Sequence, residues 1–173
     1  MGTEGEASAG PDWLVRVLIG RNPRVTLVRM AVSVLLLVGI AKFVLLPIRV
    51  VGISMLPTYR QNAVNFVNCL AYRFHPPRRG DVVSIRLAGN HVMYCKRIVG
   101  LPGETVAFHM GHLLINGKPL DEPYVKGPCY WEHEPITVGT DEYYVVGDNR
   151  TMDFYDHEQG RASRSRIVGK LLL

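Results

Sequence analysis

The stretch Val51-Gly52-Ile53-Ser54-Met55-Leu56-Pro57-Thr58 decides how this chain is read. It follows an apolar segment directly and opens a strand-rich remainder punctuated by Gly and Pro. Val50, Val51 and Ile53 lead in as a short extended run, and Pro57 fixes the backbone just after, so a turn is expected there. A hydroxyl at a strand end can project instead of being buried in a ladder. Ser54 alone carries no function, because a serine nucleophile needs an activating base. The candidate base is Lys96, in Tyr94-Cys95-Lys96-Arg97-Ile98-Val99-Gly100-Leu101-Pro102-Gly103-Glu104. Burial in that apolar strand pattern would disfavour the ammonium and leave an amine able to accept the serine proton. By composition alone, a solvated surface lysine fits better. The order of motifs along the chain decides otherwise.

Gly52 to Thr58 comes first, then Arg79-Gly80-Asp81-Val82-Val83, then Lys96 to Glu104, then Val146-Gly147-Asp148-Asn149-Arg150. Together, and from about Arg49 to the C-terminus, these resemble the boxes of bacterial type I signal peptidases, membrane-anchored serine proteases with a Ser/Lys dyad. Each box is weak to moderate by itself, whereas four in this order behind an apolar segment are highly specific. The resemblance implies a mainly β fold: an antiparallel β catalytic domain behind one N-terminal transmembrane helix.

The 173 residues suit one modest domain plus an anchor, and the 47% hydrophobic fraction is concentrated towards the N-terminus. A net charge of +5 and a pI near 9.3 fit a membrane surface as readily as nucleic acid. No zinc spacing, helix-turn-helix pattern or aromatic-basic interleaving supports nucleic-acid binding. Cys69, Cys95 and Cys129 are odd in number and dispersed, which argues against a disulfide framework and leaves one pair open.

Met30 to Ala41 is uncharged and spans only about 18 Å as a helix, short of a roughly 30 Å hydrocarbon core. Extension through Phe43 to Leu46 restores the length, with Lys42 snorkelling outward. A cleaved signal peptide is the rival, disfavoured because apolar residues continue into the first box. Arg16, Arg21, Arg24 and Arg29 precede the apolar core and place the N-terminus in the cytoplasm by the positive-inside rule. The expected organisation is a cytoplasmic segment at 1–25, a transmembrane helix at 26–48 and an extracytoplasmic β-rich peptidase domain at 49–173. Asp12 to Gly20, with Trp13, Leu14, Val15, Val17, Leu18 and Ile19, reads either as a short interfacial helix or as a frayed lead-in.

Beyond Ser54, strands are expected around Val64 to Val67, at Asp81 to Leu87 and at His91 to Val99. A hairpin is expected about Met110-Gly111 and a second tight turn at Asn116-Gly117. Pro119 to Pro135 reads as a loop, and Glu142 to Val146 as a strand. His75 and His91 fit no Asp-His catalytic order.

The resemblance makes Ser54 the nucleophile and Lys96 the general base of an acyl-enzyme mechanism. Met55, Tyr94 and Cys95 would line a shallow pocket for the small residue before the cut, and a substrate strand would add near Ile53 and Tyr94. Arg97 and Asp148 are expected to pair, with Gly52, Gly147, Asn149 and Arg150 supporting the site. The oxyanion-hole position two residues before the nucleophile is Gly52, which carries no hydroxyl, so donors must come from backbone or water. The implied partners are secreted pre-proteins with small residues before the cleavage site and the lipid bilayer. No cofactor, metal or nucleic acid is implied.

The pattern departs from the family after Arg150. Counted without gaps to Gly160, Asp153 replaces the family serine that bonds the base lysine, Tyr155 replaces an aspartate and His157 an arginine. A carboxylate beside Lys96 would favour its charged form. This departure motivates an alternative, a catalytically impaired relative that binds pre-proteins or a membrane partner. Ser163 and Ser165 read as solvated residues of a basic tail. A Ser/Lys self-cleaving repressor would need a DNA-binding pattern, and none is visible.

Overall fold

The structure, a computed structural model, describes residues 22–88, 92–157 and 159–172. The Asp12 to Gly20 segment, His91 and the side chain of Lys42 lie outside those residues. The chain divides into two units, Met1–Lys42 and Phe43–Leu173.

Helix α1 begins at Pro23, where a missing N–H costs nothing, and runs to Val44, two residues past the boundary between the units. Its 22 residues span about 33 Å. Leu27, Val32, Leu35, Leu37 and Ile40 are all exposed, so the helix is apolar on every side. By length and composition it can cross a membrane. It ends earlier than the expected residue 48. Pro47 lacks the N–H a helix needs and disfavours helical geometry at Leu46, so Leu45–Arg49 forms strand β1 instead.

The second unit is built entirely from antiparallel pairings. Its strands are β1, β2 (Val64–Asn68), β3 (Val82–Ala88), β4 (Val92–Gly100), β5 (Thr105–His109), β6 (His112–Ile115), β7 (Lys118–Pro119), β8 (His133–Thr137), β9 (Glu142–Val146), β10 (Gly160–Ser163) and β11 (Ile167–Leu171). Seven form one sheet in the order β1-β2-β11-β3-β4-β9-β10, and four form another in the order β7-β6-β5-β8. The two-residue turns Met110-Gly111 and Asn116-Gly117 have positive φ at both positions, the geometry that matches strand twist.

The expected loop at Pro119 to Pro135 is shorter than the sequence suggests, because β8 starts at His133. Its Pro135 is tolerated on an edge strand, where no ladder donor is required. The basic tail is not a tail, since β11 inserts between β2 and β3 in the middle of the large sheet. Ser163 closes β10 and bonds Ser165 on the surface.

Strands β4 and β9 are buried on both faces. Ile98 and Val145 pack with Val83, Ile85 and Ala162 on one side. Val99 and Val146 pack with Phe108, Leu113 and Trp131 on the other, where the two sheets meet. Alternation therefore sends Tyr94, Lys96 and Ile98 to one face and Cys95, Arg97 and Val99 to the other.

Asp81, just ahead of β3, ties the preceding loop to β11. It accepts from Lys170 Nζ of β11 at 2.7 Å, the Arg78 N–H at 3.0 Å and the Tyr72 hydroxyl at 3.0 Å. Burial alone would raise its pKa, but these donors outweigh burial and lower it. A depressed carboxylate stabilises the fold above its unfolded pKa, and that stability is lost as pH falls through the folded value. The denaturant midpoint should therefore fall as pH drops below about 4. Asp81→Asn should lower the midpoint at pH 7 and flatten that acid dependence.

Candidate active site

Ser54 lies in a compact turn between β1 and β2, held by Leu56 N–H to Ile53 O at 3.1 Å and Tyr59 N–H to Met55 O at 2.9 Å. Met55 and Tyr59 sink into a core of Val50, Val67, Val82 and Leu171, which nails the turn to the large sheet. Ser54 itself stays half-buried. Two residues earlier, Gly52 has φ +100°, and a Cβ there would meet no atom within 4 Å. Backbone conformation, not space, excludes a side chain with a hydroxyl at this position.

The Gly147 to Arg150 loop, fed by β9, grips the Ser54 turn. Asn149 N–H donates to Ser54 O at 2.9 Å, and Asn149 Nδ2 donates to Ile53 O at 3.1 Å. A Cβ on Gly147 would stand 2.3 Å from Ser54 O and 2.4 Å from His157 Cε1. The glycine is therefore what lets the serine turn and the His157 ring press on the loop together.

Lys96 comes from β4, opposite Val83, and is 2% exposed. Its Nζ donates to the His157 carbonyl at 2.8 Å. Asp153, expected beside Lys96, is exposed and accepts the Tyr155 N–H at 2.9 Å. From the described residues of this stretch, a neutral carbonyl reaches Nζ. His157 is fully buried, and its pKa is pushed down to about 3 by burial and by the nearby Lys96 and Arg150 charges.

Arg97, on the opposite face of β4, meets Asp148 in a bidentate pair, Nε to Oδ1 at 2.8 Å and Nη2 to Oδ2 at 2.6 Å. Gly80 O takes Arg97 Nη1 at 2.7 Å, and Thr58 Oγ1 donates to Asp148 Oδ2 at 2.5 Å. Arg150 is 2% exposed and pairs with Glu122 at 2.5 and 3.0 Å while donating to Gly147 O at 2.9 Å. Tyr124 lies against Arg97 at 3.9 Å and donates to Glu122 at 2.7 Å. Glu122 and Tyr124 are not singled out by the sequence, and Thr58 and His157 are named there without these contacts. Glu122 and Tyr124 sit in a Pro-rich connection with no periodic signal, and only the tertiary fold brings them to the arginines.

A cleft of about 280 Å³ adjoins Ser54, lined in part by Val51, Ser54, Met55, Met93, Tyr94 and Cys95. Burial pushes the Cys95 thiol up to about 11, only partly offset by Lys96, so it is a protonated apolar wall at neutral pH. Ile53 is exposed at the rim of the turn, and its carbonyl already accepts from Leu56 N–H and Asn149. A substrate strand therefore cannot pair through Ile53 O without displacing a donor. All three cysteines are free, and no group of three or more His, Cys, Asp or Glu converges as a metal site among the described residues.

Glu122→Leu leaves the Arg150 guanidinium buried without its carboxylate, and loss of one partner of such a pair costs about 3–5 kcal/mol. The urea midpoint should fall accordingly. The double variant Glu122→Leu with Arg150→Met should recover much of the loss. His157 makes a separate prediction. Because its folded pKa lies below the unfolded value, the unfolded chain binds the extra proton, so stability falls as pH drops from about 6.5 towards 3. Replacement by Leu should flatten that slope in pH-dependent unfolding.

The sequence model of the family described as signal peptidase, peptidase S26, matches residues 24–173. A signal peptidase I from Leptolyngbya laminosa is 36% identical over 149 residues, covering 82% of this chain and 73% of its own. A probable signal peptidase I from Synechocystis is 34% identical over 147 residues, covering 82% of this chain and 67% of its own. The Bacillus subtilis signal peptidase I V is 32% identical over 152 residues, 80% of this chain and 90% of its own. A crystal structure of a signal peptidase I from Enterococcus faecalis matches at 30% identity with a TM-score of 0.46 over 56% of this chain. With the family match running through every segment that builds the site, the chain belongs to the signal peptidase family, peptidase S26, as a serine peptidase of the signal peptidase I type.

Proposed function

We propose that this protein removes signal peptides from secreted pre-proteins with Ser54 as nucleophile and Lys96 as general base, anchored in the cell membrane by α1. The observation that carries the reading is the placement of Lys96. It is 2% exposed, on the strand whose neighbouring residues Tyr94 and Cys95 wall the cleft beside Ser54. Burial disfavours an ammonium, and the Nζ lone pair becomes available once the proton is lost.

In the acylation step, Ser54 Oγ forms a bond to the scissile carbonyl carbon and its proton passes to Lys96 Nζ. The tetrahedral oxyanion takes the Ser54 N–H as a candidate donor, because Gly52 offers no hydroxyl. Collapse breaks the C–N bond, and Lys96 returns the proton to the leaving amine. Water, deprotonated by Lys96, then attacks the ester and releases the signal peptide's new carboxylate with Ser54 restored.

The shallow cleft of Met55, Tyr94 and Cys95 fits a small residue before the cut, as in Ala-x-Ala sites. Arginines ahead of the apolar core favour an N-terminus in the cytoplasm and a peptidase domain outside.

The test is cleavage of a pre-protein carrying an Ala-x-Ala site, in detergent, across pH. Ser54→Ala and Lys96→Ala should each lose at least about a thousandfold in kcat. Wild-type kcat/KM should rise with pH as Lys96 gives up its proton. A wild type that binds pre-protein without cutting it would leave the non-catalytic binding relative in place of the peptidase.

A further inference from the structure

We infer that His157 is a positioning residue that fixes the base and the nucleophile to one another, an inference that rests on the reading of Lys96 as the base. Three contacts carry it. The His157 carbonyl accepts from Lys96 Nζ at 2.8 Å. The ring Nδ1 accepts from the Gly147 N–H at 3.4 Å, and Nε2 meets Asn149 O at 3.1 Å. Asn149 in turn donates its N–H to Ser54 O at 2.9 Å. A connected path of bonds therefore runs from the lysine amine through one histidine to the serine backbone.

The ring has little freedom within this path. It is fully buried, its centroid lies 4.7 Å from that of Trp131, and Gly147 leaves no room for a Cβ beside Cε1. One nitrogen must accept and the other donate, so the site selects the neutral Nε2–H tautomer. An imidazolium would set Nδ1–H against the Gly147 N–H. It would also face the cations of Lys96 of β4 and Arg150 of the loop after β9. With Asp153 at the surface, His157 takes over from that position the task of giving the lysine amine a fixed acceptor.

His157→Leu keeps similar bulk and loses both ring contacts. His157→Gln retains a donor for Asn149 O. Each is compared with wild type as the full chain in detergent, with near-UV circular dichroism reporting folding. His157→Leu should lower kcat by about 10- to 100-fold with KM changed less than about threefold, since small misplacement of a catalytic group costs on that order. His157→Gln should recover at least a tenth of wild-type kcat.

A readout independent of cleavage is acylation of Lys96 by acetic anhydride across pH in the Ser54→Ala background, followed by mass spectrometry. His157→Leu should move the pH at which Lys96 reacts by about one unit. Folded His157→Leu with unchanged kcat and unchanged Lys96 labelling overturns the proposal. So does a fall in kcat without any change in labelling, which assigns His157 to packing alone. If His157→Leu does not fold, ¹⁵N-histidine NMR of the wild type decides. A neutral Nε2–H ring from pH 5 to 9 supports the proposal, and titration near the ordinary histidine value overturns it. A wild type that never cleaves removes the dyad reading, while the labelling comparison still reports whether His157 holds Lys96.

Discussion

The buried pair of Arg97 and Asp148 is the interaction on which the rest of the site depends. Asp148 is fully buried and Arg97 nearly so, so desolvation is severe and coulombic attraction alone need not offset it. The structure meets that cost by satisfying the remaining polar atoms: Gly80 O takes one guanidinium donor, and Thr58 Oγ1 donates to the carboxylate. Thr58 belongs to the Ser54 turn, Arg97 to the Lys96 strand and Asp148 to the loop between β9 and β10. A single ion pair thus binds the segments that carry Ser54, Lys96 and Asp148, and its planar bidentate geometry fixes orientation as well as distance.

Around that pair, a second layer secures the loop from behind. Glu122 and Tyr124 reach both buried arginines, one through a bidentate carboxylate contact with Arg150 and the other through ring contact with Arg97. The Pro-rich connection between β7 and β8 therefore acts as a strap rather than as a dispensable surface insertion. Arg150 also lies near the Trp131 and Phe108 rings, which ties the loop to the core where the two sheets meet. Rigidity of this kind matters for the proposed base, Lys96, because misplacement of a catalytic group is expensive in rate.

The departure of the chain from its family pattern at 151–157 looked, as sequence, like a threat to the base. An aspartate in place of a serine suggested a carboxylate on Lys96. The fold turns Asp153 outward to bond the Tyr155 N–H and brings the His157 carbonyl to Nζ instead. A backbone carbonyl carries no side-chain identity, so no reading of residue types could have found it. The sequence marks His157 as a departure from the family pattern but gives it no role. Its neutral state follows from burial beside two cations, a property of neighbours far apart in sequence.

By itself, the sequence determined the order of strand-forming segments, both two-residue hairpin turns, the apolar N-terminal helix and the motifs that hold Ser54, Lys96, Arg97 and Asp148. These are written in local pattern: β-branched runs, Asn-Gly, a continuous apolar stretch and charges embedded in apolar strands. It overran the end of the helix into β1, where Pro47 outweighs hydrophobicity, and missed β7, β8, β10 and β11. Those strands are short and polar on one face, and exist because neighbouring strands supply their hydrogen bonds. Only the tertiary structure decided that Glu122 meets Arg150, why Gly147 must lack a side chain and that the His157 carbonyl reaches the lysine amine. Each depends on the distance between segments some 30 to 100 residues apart, which packing sets and linear pattern does not encode.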